Sequence, residues 1–597
     1  MKTIKGGEYL IKEVKSEDIF ITEEFTEEHI MMKESVKEFI DREVWPKKEQ
    51  FENKDYALTE SIMKQVGEMG FLGISIPEQY GGMGMGFVST MLVTDYMSAA
   101  TGSIATAFGA HTGIGTMPIF LYGTEEQKQK YLPALTAGEK FGAYCLTEPE
   151  AGSDANSGKT TATLTKDGKH YLINGQKMWI SNAGFAEIFI VFARIEDDKN
   201  ITAFILEYDK ENPNGVTFGE EEDKLGIKSS STRQMFFSDT KIPIENMLSK
   251  RGKGFKIALN SLNVGRIKLA VACLDASRRI ITASVNYANE RIQFKTPIAQ
   301  FGAIQAKLAE MSVRTFASDA GTYRAAKDIQ NYIDALLADG KSHQEAELEA
   351  FSEYAIEAAI LKVYASETSQ IVSDEGIQIF GGMGFSKDTP MESAWRDARI
   401  TRIYEGTNEI NRLLTVGMLL KKAFKGSIDL ITPATEVGKS LMGIPSFDTP
   451  DYSELFSEEK EMIAKLKKAF LMISGKAVQT FGMELDKHQQ LILAAAEVMI
   501  EIYMAESAIL KAEKVAKMTS EKEAETQIQL AKLSLYNAVN TISEKGKEAI
   551  TYFADGDEQR MMLMGLKRFT KYTNMPNAIA LRKAIAEKVI EENKYCF

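Results

Sequence analysis

The chain has 597 residues, of which 44% are hydrophobic and 26% charged, the balance of a folded globular protein rather than a disordered or collagen-like one. Such a length exceeds one hydrophobic core and predicts three or four domains. With 71 Lys plus Arg against 84 Asp plus Glu, the net charge of −13 argues against a nucleic-acid partner, and three scattered cysteines exclude a disulfide framework.

Met1 to Phe20 alternates lysine and glutamate without an apolar block, unlike a signal or transit peptide. The most apolar later stretch, Leu491 to Ile500, carries Glu497 and is too short to span a bilayer. A cytoplasmic, non-integral protein is expected. The histidines (His29, His111, His170, His343, His488) show no metal-ligand spacing, so no metal site is predicted.

Residues 26–140 read as an N-terminal helical domain. Thr26-Glu27-Glu28 followed by Ile30, Val36 and Ile40 has the acidic first turn of an amphipathic helix. Gly81 to Gly86 lacks the GxGxxG spacing and no strand pattern leads into it, so it reads as a loop between helices.

The texture changes at 141–253. Thr161–Leu172, Lys177–Ile180, Ile188–Arg194, Thr202–Leu206 and Met235–Phe237 are β-branched or aromatic runs. Asp167-Gly168 and Asn174-Gly175 stand between runs as hairpin-turn dipeptides. A small antiparallel β-barrel is predicted. Helical periodicity returns over 254–426, with long stretches such as Gln300–Ile333 and Gln344–Glu375 that suggest a four-helix bundle. Residues 427–456 hold Pro433, Pro445 and Pro450 and read as a linker. Amphipathic helices rich in lysine and glutamate then fill 457–597, an extra C-terminal helical domain. The predicted fold is mainly α with a central β domain.

Three segments carry chemistry. Tyr144-Cys145-Leu146-Thr147-Glu148-Pro149-Glu150-Ala151-Gly152-Ser153-Asp154 offers hydroxyls and backbone donors suited to a polar heterocycle or a phosphate, though an ordinary interdomain loop would read the same. Lys177-Met178-Trp179-Ile180-Ser181-Asn182 puts an indole on a strand, where it either covers a flat ring or fills a core. In Arg396 to Ile410, an apolar helical face gives way to Tyr404-Glu405-Gly406-Thr407-Asn408, where one helix breaks and another starts. Glu405 at such a break is held by backbone rather than a flexible stem; its plain alternative is support of a helix start. No GxSxG, HExxH or CxxC motif occurs, which removes the usual support for a hydrolase or metalloenzyme.

These three segments, in this order and at these separations, resemble the acyl-CoA dehydrogenase family. Further matches are Asn263-Val264-Gly265-Arg266, Glu290-Arg291-Ile292-Gln293-Phe294 and Gln378-Ile379-Phe380-Gly381-Gly382-Met383-Gly384-Phe385. The resemblance covers roughly 26–420, and the C-terminal extension makes the chain most like the very-long-chain branch. It implies FAD-dependent conversion of a fatty acyl-CoA, of long chain, to the trans-2-enoyl-CoA in fatty-acid β-oxidation. Electrons would pass to an electron-transfer flavoprotein.

By the same resemblance Glu405 is the base that removes the α-proton, and its backbone N–H helps hold the thioester oxygen. Tyr144, Leu146, Thr147, Ser153, Trp179, Ile180, Ser181, Thr407 and Glu409 correspond to flavin-side positions. Arg291, Phe294, Gln378, Gly381 and Gly382 correspond to residues gripping the distal part of FAD bound by a neighbouring subunit, which implies a homodimer sharing its cofactor sites. Ser153, Asn263, Arg266 and Gly406 correspond to substrate-side positions. Some branches carry the glutamate one residue before the arginine of the Asn263–Arg266 segment; here Gly265 stands there and cannot act. Lys295 and Gly302 depart from the family's usual glycine and glutamine near the distal FAD. The rival readings are an oxidase passing electrons to oxygen, a non-enzymatic assembly scaffold on the same fold, and an acyl-CoA storage module. For residues 457–597, packing that makes a dimer is favoured over peripheral membrane contact, because no basic face dominates.

Overall fold

The computed structural model describes residues 4–441 and 451–597. The order of elements is helical, β, helical, helical, as the sequence predicts.

The N-terminal domain contains α1 (Glu27–Phe39), α2 (Tyr56–Glu68), α3 (Phe87–Met97), α4 (Gly102–Gly109) and α5 (Glu125–Thr136), with shorter turns between them. Thr26 caps α1, its side chain accepting from the His29 N–H. Gly81 to Gly86 is a loop leading into α3. Every residue of α3 is buried, because the helix lies between its own domain and the bundle behind it.

The β domain holds β1 (Gly142–Cys145), β2 (Thr161–Leu164), β3 (His170–Ser181), β4 (Ile188–Ile195), β5 (Thr202–Glu207), β6 (Val216–Glu221), β7 (Thr232–Pro243) and β8 (Met247–Leu248). The sheet runs β6-β7-β3-β2-β4-β5-β8, with β1 beside β4. It departs from a closed antiparallel barrel in two ways. β1 and β2 both lie parallel to β4, at opposite ends of that strand, and β6 and β8 remain edges of the hydrogen-bonded path.

Asp167-Gly168 turns β2 into β3 as expected, with Gly168 at φ 69°. Asn174-Gly175 does not turn the chain. β3 runs straight through it, and the register against β7 shifts between Ile173 and Gly175. The Asn174 amide exchanges two hydrogen bonds of 2.9 Å with Asp239 on β7. A Cβ on Gly175 would meet the backbone of Thr160 at 2.8 Å. The dipeptide therefore makes a bulge with a close backbone approach, the other use of glycine in a strand.

The bundle comprises α6 (Gly254–Ala272), α7 (Leu274–Glu290), α8 (Gly302–Ala338), α9 (His343–Glu353), α10 (Ala355–Phe380), α11 (Met391–Arg399) and α12 (Asn408–Phe424). The segment read as a linker contains a helix, α13 (Ile431–Ser440). Pro433 lies in its first turn, where no intrahelical N–H bond is needed, so proline there starts a helix rather than preventing one. Pro445 and Pro450 lie outside the described residues.

The C-terminal domain is α14 (Ser457–Phe481), α15 (Gln489–Met518), α16 (Glu525–Phe553), α17 (Gly556–Phe569) and α18 (Ala578–Glu592). α15 is buried along most of its length, and one apolar core runs from the N-terminal domain through the bundle into this domain. Residues 4–25 pack along that seam. Tyr9 is fully buried, donates to Met499 O at 3.0 Å and stands edge-on to Tyr503. Two stretches, Gly102–Tyr122 and Gly254–Glu290, have the length and apolar composition of membrane spans, and 83% and 78% of them is buried inside the protein.

Candidate active site

The three chemical segments meet at one cavity of about 1050 Å³. Tyr144, Leu146, Thr147 and Ser153 reach it from the end of β1 and the loop after it, Trp179 and Ser181 from β3, and Glu405, Gly406 and Thr407 from the break before α12. α3, α4 and α6 complete its walls.

Trp179 is exposed because of a second irregularity in β3. The register against β7 shifts between Lys177 and Ile180, and Trp179 takes a left-handed φ of 60°. A bulge re-aims a side chain, and here it turns a strand tryptophan out of the core to 53% exposure. Ile180 is buried beneath and does not line the cavity. Lys177, also buried, pairs with Glu148 at 2.6 Å and donates to Leu146 O at 3.2 Å, joining the two cavity-lining segments from behind.

The turn carrying Glu405 follows from helix chemistry. α11 ends at Arg399, a short 3₁₀ turn spans Ile400–Arg402, and Thr407 caps α12 by accepting from the Ile410 N–H at 3.3 Å. Between them Glu405 (φ 59°) and Gly406 (φ 81°) both adopt left-handed backbone. That geometry is natural for glycine and costs a glutamate about 1–3 kcal/mol, so surrounding groups must impose it.

They do so through the carbonyls. Arg266 Nε donates to Glu405 O at 3.3 Å and Lys362 Nζ to Gly406 O at 2.8 Å. The Asn411 side-chain amide reaches Glu405 O at 3.3 Å, Gly406 O at 2.8 Å and Thr407 O at 3.1 Å. All three carbonyls thus face donors within the protein, while the Glu405 N–H has no acceptor among the described residues.

The carboxylate is placed with equal economy of space. A Cβ on Gly265 would lie 2.6 Å from Glu405 Oε2. Oε2 is sealed from solvent and has no hydrogen-bond partner, although the residue as a whole keeps contact with the cavity. Burial raises the Glu405 pKa to about 7 against the opposing pull of Arg266 and Lys362. Burial lowers Arg266 to about 10 and Lys362 to about 8, so both are cationic at neutral pH. A carboxylate that takes and releases a proton near neutrality, beside a free backbone N–H, has the makings of a general base next to an oxyanion site.

The substrate-side assignments divide. Arg266 lines the cavity but spends its donors on the Glu405 carbonyl and on Asn263 Oδ1 at 2.8 Å. Asn263 is buried and does not line the cavity; its role here is to brace Arg266. Glu409 is exposed in the first turn of α12, outside the cavity lining. Arg291, Phe294, Gln378, Gly381 and Gly382 also lie outside it, exposed at the adjoining ends of α7 and α10. Tyr287 stacks on Phe380 at 4.1 Å and ties these ends together. Lys362 and Asn411 escaped the sequence reading, although a lone lysine in Ala359-Ile360-Leu361-Lys362-Val363 was a visible signal of a buried polar task.

Four family models match in order: "Acyl-CoA dehydrogenase, N-terminal domain" at residues 26–139, "middle domain" at 143–240, and "C-terminal domain" at 252–419 and, in a second form, at 465–568. A probable acyl-CoA dehydrogenase of Bacillus subtilis (strain 168) is 40% identical over 591 residues, covering 99% of this chain and 98% of that one. The chain belongs to the acyl-CoA dehydrogenase family.

The crystal structure of an acyl-CoA dehydrogenase complexed with FAD from Bacillus anthracis superposes over 100% of both chains, with a TM-score of 0.95 and 40% identity. The mitochondrial very long-chain specific acyl-CoA dehydrogenase of Macaca fascicularis is 39% identical over 395 residues, 65% of this chain and 55% of that protein. The acyl-CoA dehydrogenase domains therefore hold the cavity, and the C-terminal helical extension is shared at full length with the Bacillus relatives.

Proposed function

We propose that this protein is an FAD-dependent dehydrogenase that oxidises a long-chain fatty acyl-CoA to the trans-2-enoyl-CoA in β-oxidation, with Glu405 as the base. The observation that carries this is the placement of Glu405: a sealed carboxylate oxygen, without a hydrogen-bond partner among the described residues, on a turn whose own N–H also has none there.

The residues present fit a flavin. Trp179 offers half its surface to the cavity, the Tyr144 hydroxyl is buried without a partner, and Thr147 and Ser181 line the same wall. Tyr144, Leu146, Thr147, Trp179 and Ser181 would hold the ring system. Arg291, Phe294, Gln378, Gly381 and Gly382 would meet the distal part of FAD from a second subunit, so the working unit is a homodimer. When bound, FAD supplies the acceptor for the β-hydride.

Glu405 removes the α-proton, a step available once its carboxyl has lost its own proton above about pH 7. The Glu405 N–H stabilises charge developing on the thioester oxygen, and the cations Arg266 and Lys362 favour that charge from behind the turn. The apolar walls exclude water from the exchange. An electron-transfer flavoprotein as the next acceptor and a cytoplasmic location complete the reading.

The test is the visible spectrum of the purified protein, recorded anaerobically before and after palmitoyl-CoA. Loss of the oxidised-flavin band supports the reading, and Glu405→Gln should stay yellow and fail to bleach. A protein that cannot be reconstituted with FAD would overturn it.

A further inference from the structure

Several cations in this protein's interior are paired with carboxylates, whereas Arg266 and Lys362 at the Glu405 turn bond carbonyls and amides instead. Arg324 meets Glu506 at 3.1 Å, Lys511 meets Asp319 at 2.5 Å, and Lys467 also reaches Glu506. Lys268 is a further unpaired cation, and it stands away from that turn. It lies on α6 one turn beyond Gly265, is 5% exposed, and forms no ion pair among the described residues. Its Nζ donates to Thr112 O at 3.2 Å and Thr112 Oγ1 at 3.1 Å. An ammonium has three protons, and the third has no acceptor among the described residues.

Lys268 also lines the main cavity. Lys268 also borders a second space of about 10 Å³ whose lining includes Thr90, Thr94, Thr112 and Thr116. Thr116 Oγ1 is buried without a partner, and Thr94 and Lys268 border both spaces. The cavity thus has a polar boundary that its apolar lining does not require.

This boundary is apart from the catalytic turn. The cations acting on Glu405 are Arg266 and Lys362, whereas Lys268 interacts with Glu347 on α9. Ala258, Leu262 and Leu269 of α6, with Ala110 and Ile114 opposite, give the intervening walls an apolar surface. Gly109 leaves open space where a Cβ would stand. Burial lowers the Lys268 pKa and raises that of Glu347, each against the pull of the other. Glu347 acts on the lysine electrostatically but makes no hydrogen bond or ion pair to it among the described residues.

We propose that Lys268 is a specificity-determining residue that receives the far end of the acyl chain and favours a terminal carboxylate over a terminal methyl. This rests on the reading of the cavity as an acyl-CoA site. A carboxylate would supply the counter-ion that the fold omits, while a methyl would press hydrocarbon against a desolvated ammonium. Thr112 and Thr116 offer hydroxyls to the same terminus.

The test compares kcat/KM for matched methyl-terminated and ω-carboxy acyl-CoAs, octanoyl to stearoyl in length, in the FAD-loaded wild type, Lys268→Met and Lys268→Arg. In the wild type one chain length should favour the ω-carboxy member. Lys268→Met should lower the carboxy-to-methyl ratio at that length by roughly tenfold or more, the scale of losing one buried charge partner, and Lys268→Arg should preserve its direction. An unchanged ratio in a folded, flavin-loaded Lys268→Met, or a wild type favouring the methyl at every length, overturns the proposal. The wild-type series decides even if the methionine variant does not fold. A wild type whose flavin bleaches with no acyl-CoA of either kind instead overturns the functional reading beneath it.

Discussion

The α-carbon of Gly265 faces the carboxylate of Glu405 so closely that a Cβ there would stand 2.6 Å from Oε2 and 2.9 Å from Cδ. The carboxylate has its room because a residue on α6 has no side chain. Gly265→Ala should therefore displace the carboxylate while leaving the fold nearly intact, since the group that must move is the end of a side chain. We expect kcat to fall roughly tenfold or more, because small misplacements of a reacting group are expensive, with flavin content and thermal midpoint close to wild type. Rapid-mixing kinetics of flavin reduction measure this directly; wild-type reduction in Gly265→Ala would remove the steric argument.

The proton affinity of Glu405 sets a pH dependence of known sign. Burial raises its pKa from the ordinary carboxylate range to about 7, and the base works only when ionised. Flavin reduction should increase with pH through about 7, and Glu405→Gln should abolish that limb. Stability runs the other way. A carboxyl whose pKa is raised on folding contributes stability below its unfolded value, and that contribution is lost as pH rises through the folded one. The thermal midpoint of Glu405→Gln relative to wild type should consequently improve from pH 5 to pH 8.

The order of domains and the helix break that carries Glu405 were legible because they depend on local patterns: a 3.6-residue period, β-branched runs, a capping threonine. What was not legible depends on partners distant in sequence. Asn174-Gly175 carries the same signal for a hairpin as for a bulge, and only Asp239 and Thr160 decide between them. Arg266 matched a substrate-side pattern, but its bond to the backbone of a residue 139 positions away could not be read from that pattern. The packing of the N-terminal arm was not legible because its apolar residues are few; Tyr9 and Leu10 are nonetheless fully buried.

Lys362 holds the turn that carries Glu405 and also acts on its charge. Its Nζ bonds Gly406 O at 2.8 Å and Asn408 Oδ1 at 2.7 Å, and its cation lowers the Glu405 pKa. Lys362→Met should raise the midpoint of the pH–rate profile above the wild-type value and slow reduction at pH 7, whereas Lys362→Arg should retain part of the charge effect. A slower enzyme with an unmoved midpoint would mean that the lysine only braces the backbone.

Lys177 and Glu148 form a buried pair at 2.6 Å directly behind the cavity-lining loop. Glu148 also accepts from the Thr160 N–H at 3.2 Å, so it anchors the start of β2 as well. Lys177→Met leaves a buried carboxylate unpaired, which typically costs about 3–5 kcal/mol. Denaturant unfolding should register that loss, and Glu148→Gln in the same chain should recover much of it. Two equal and additive losses would show that the residues do not act as a pair.

At the joined ends of α7 and α10 the chain exposes Phe294 (91%) and Phe385 (85%), together with Ile292 (59%). Exposed aromatic groups so concentrated are costly for a monomer and common where another surface covers them. Arg291, Gln378, Gly381 and Gly382 lie in the same two segments, which connects the patch to the proposed sharing of FAD between subunits. Phe294→Asp would place a charge in that contact. We expect the variant to sediment as a monomer at concentrations where wild type is dimeric, and to lose FAD on gel filtration. Excess FAD should restore colour before it restores activity. A Phe294→Asp protein that remains dimeric with full flavin would remove this surface from the subunit contact.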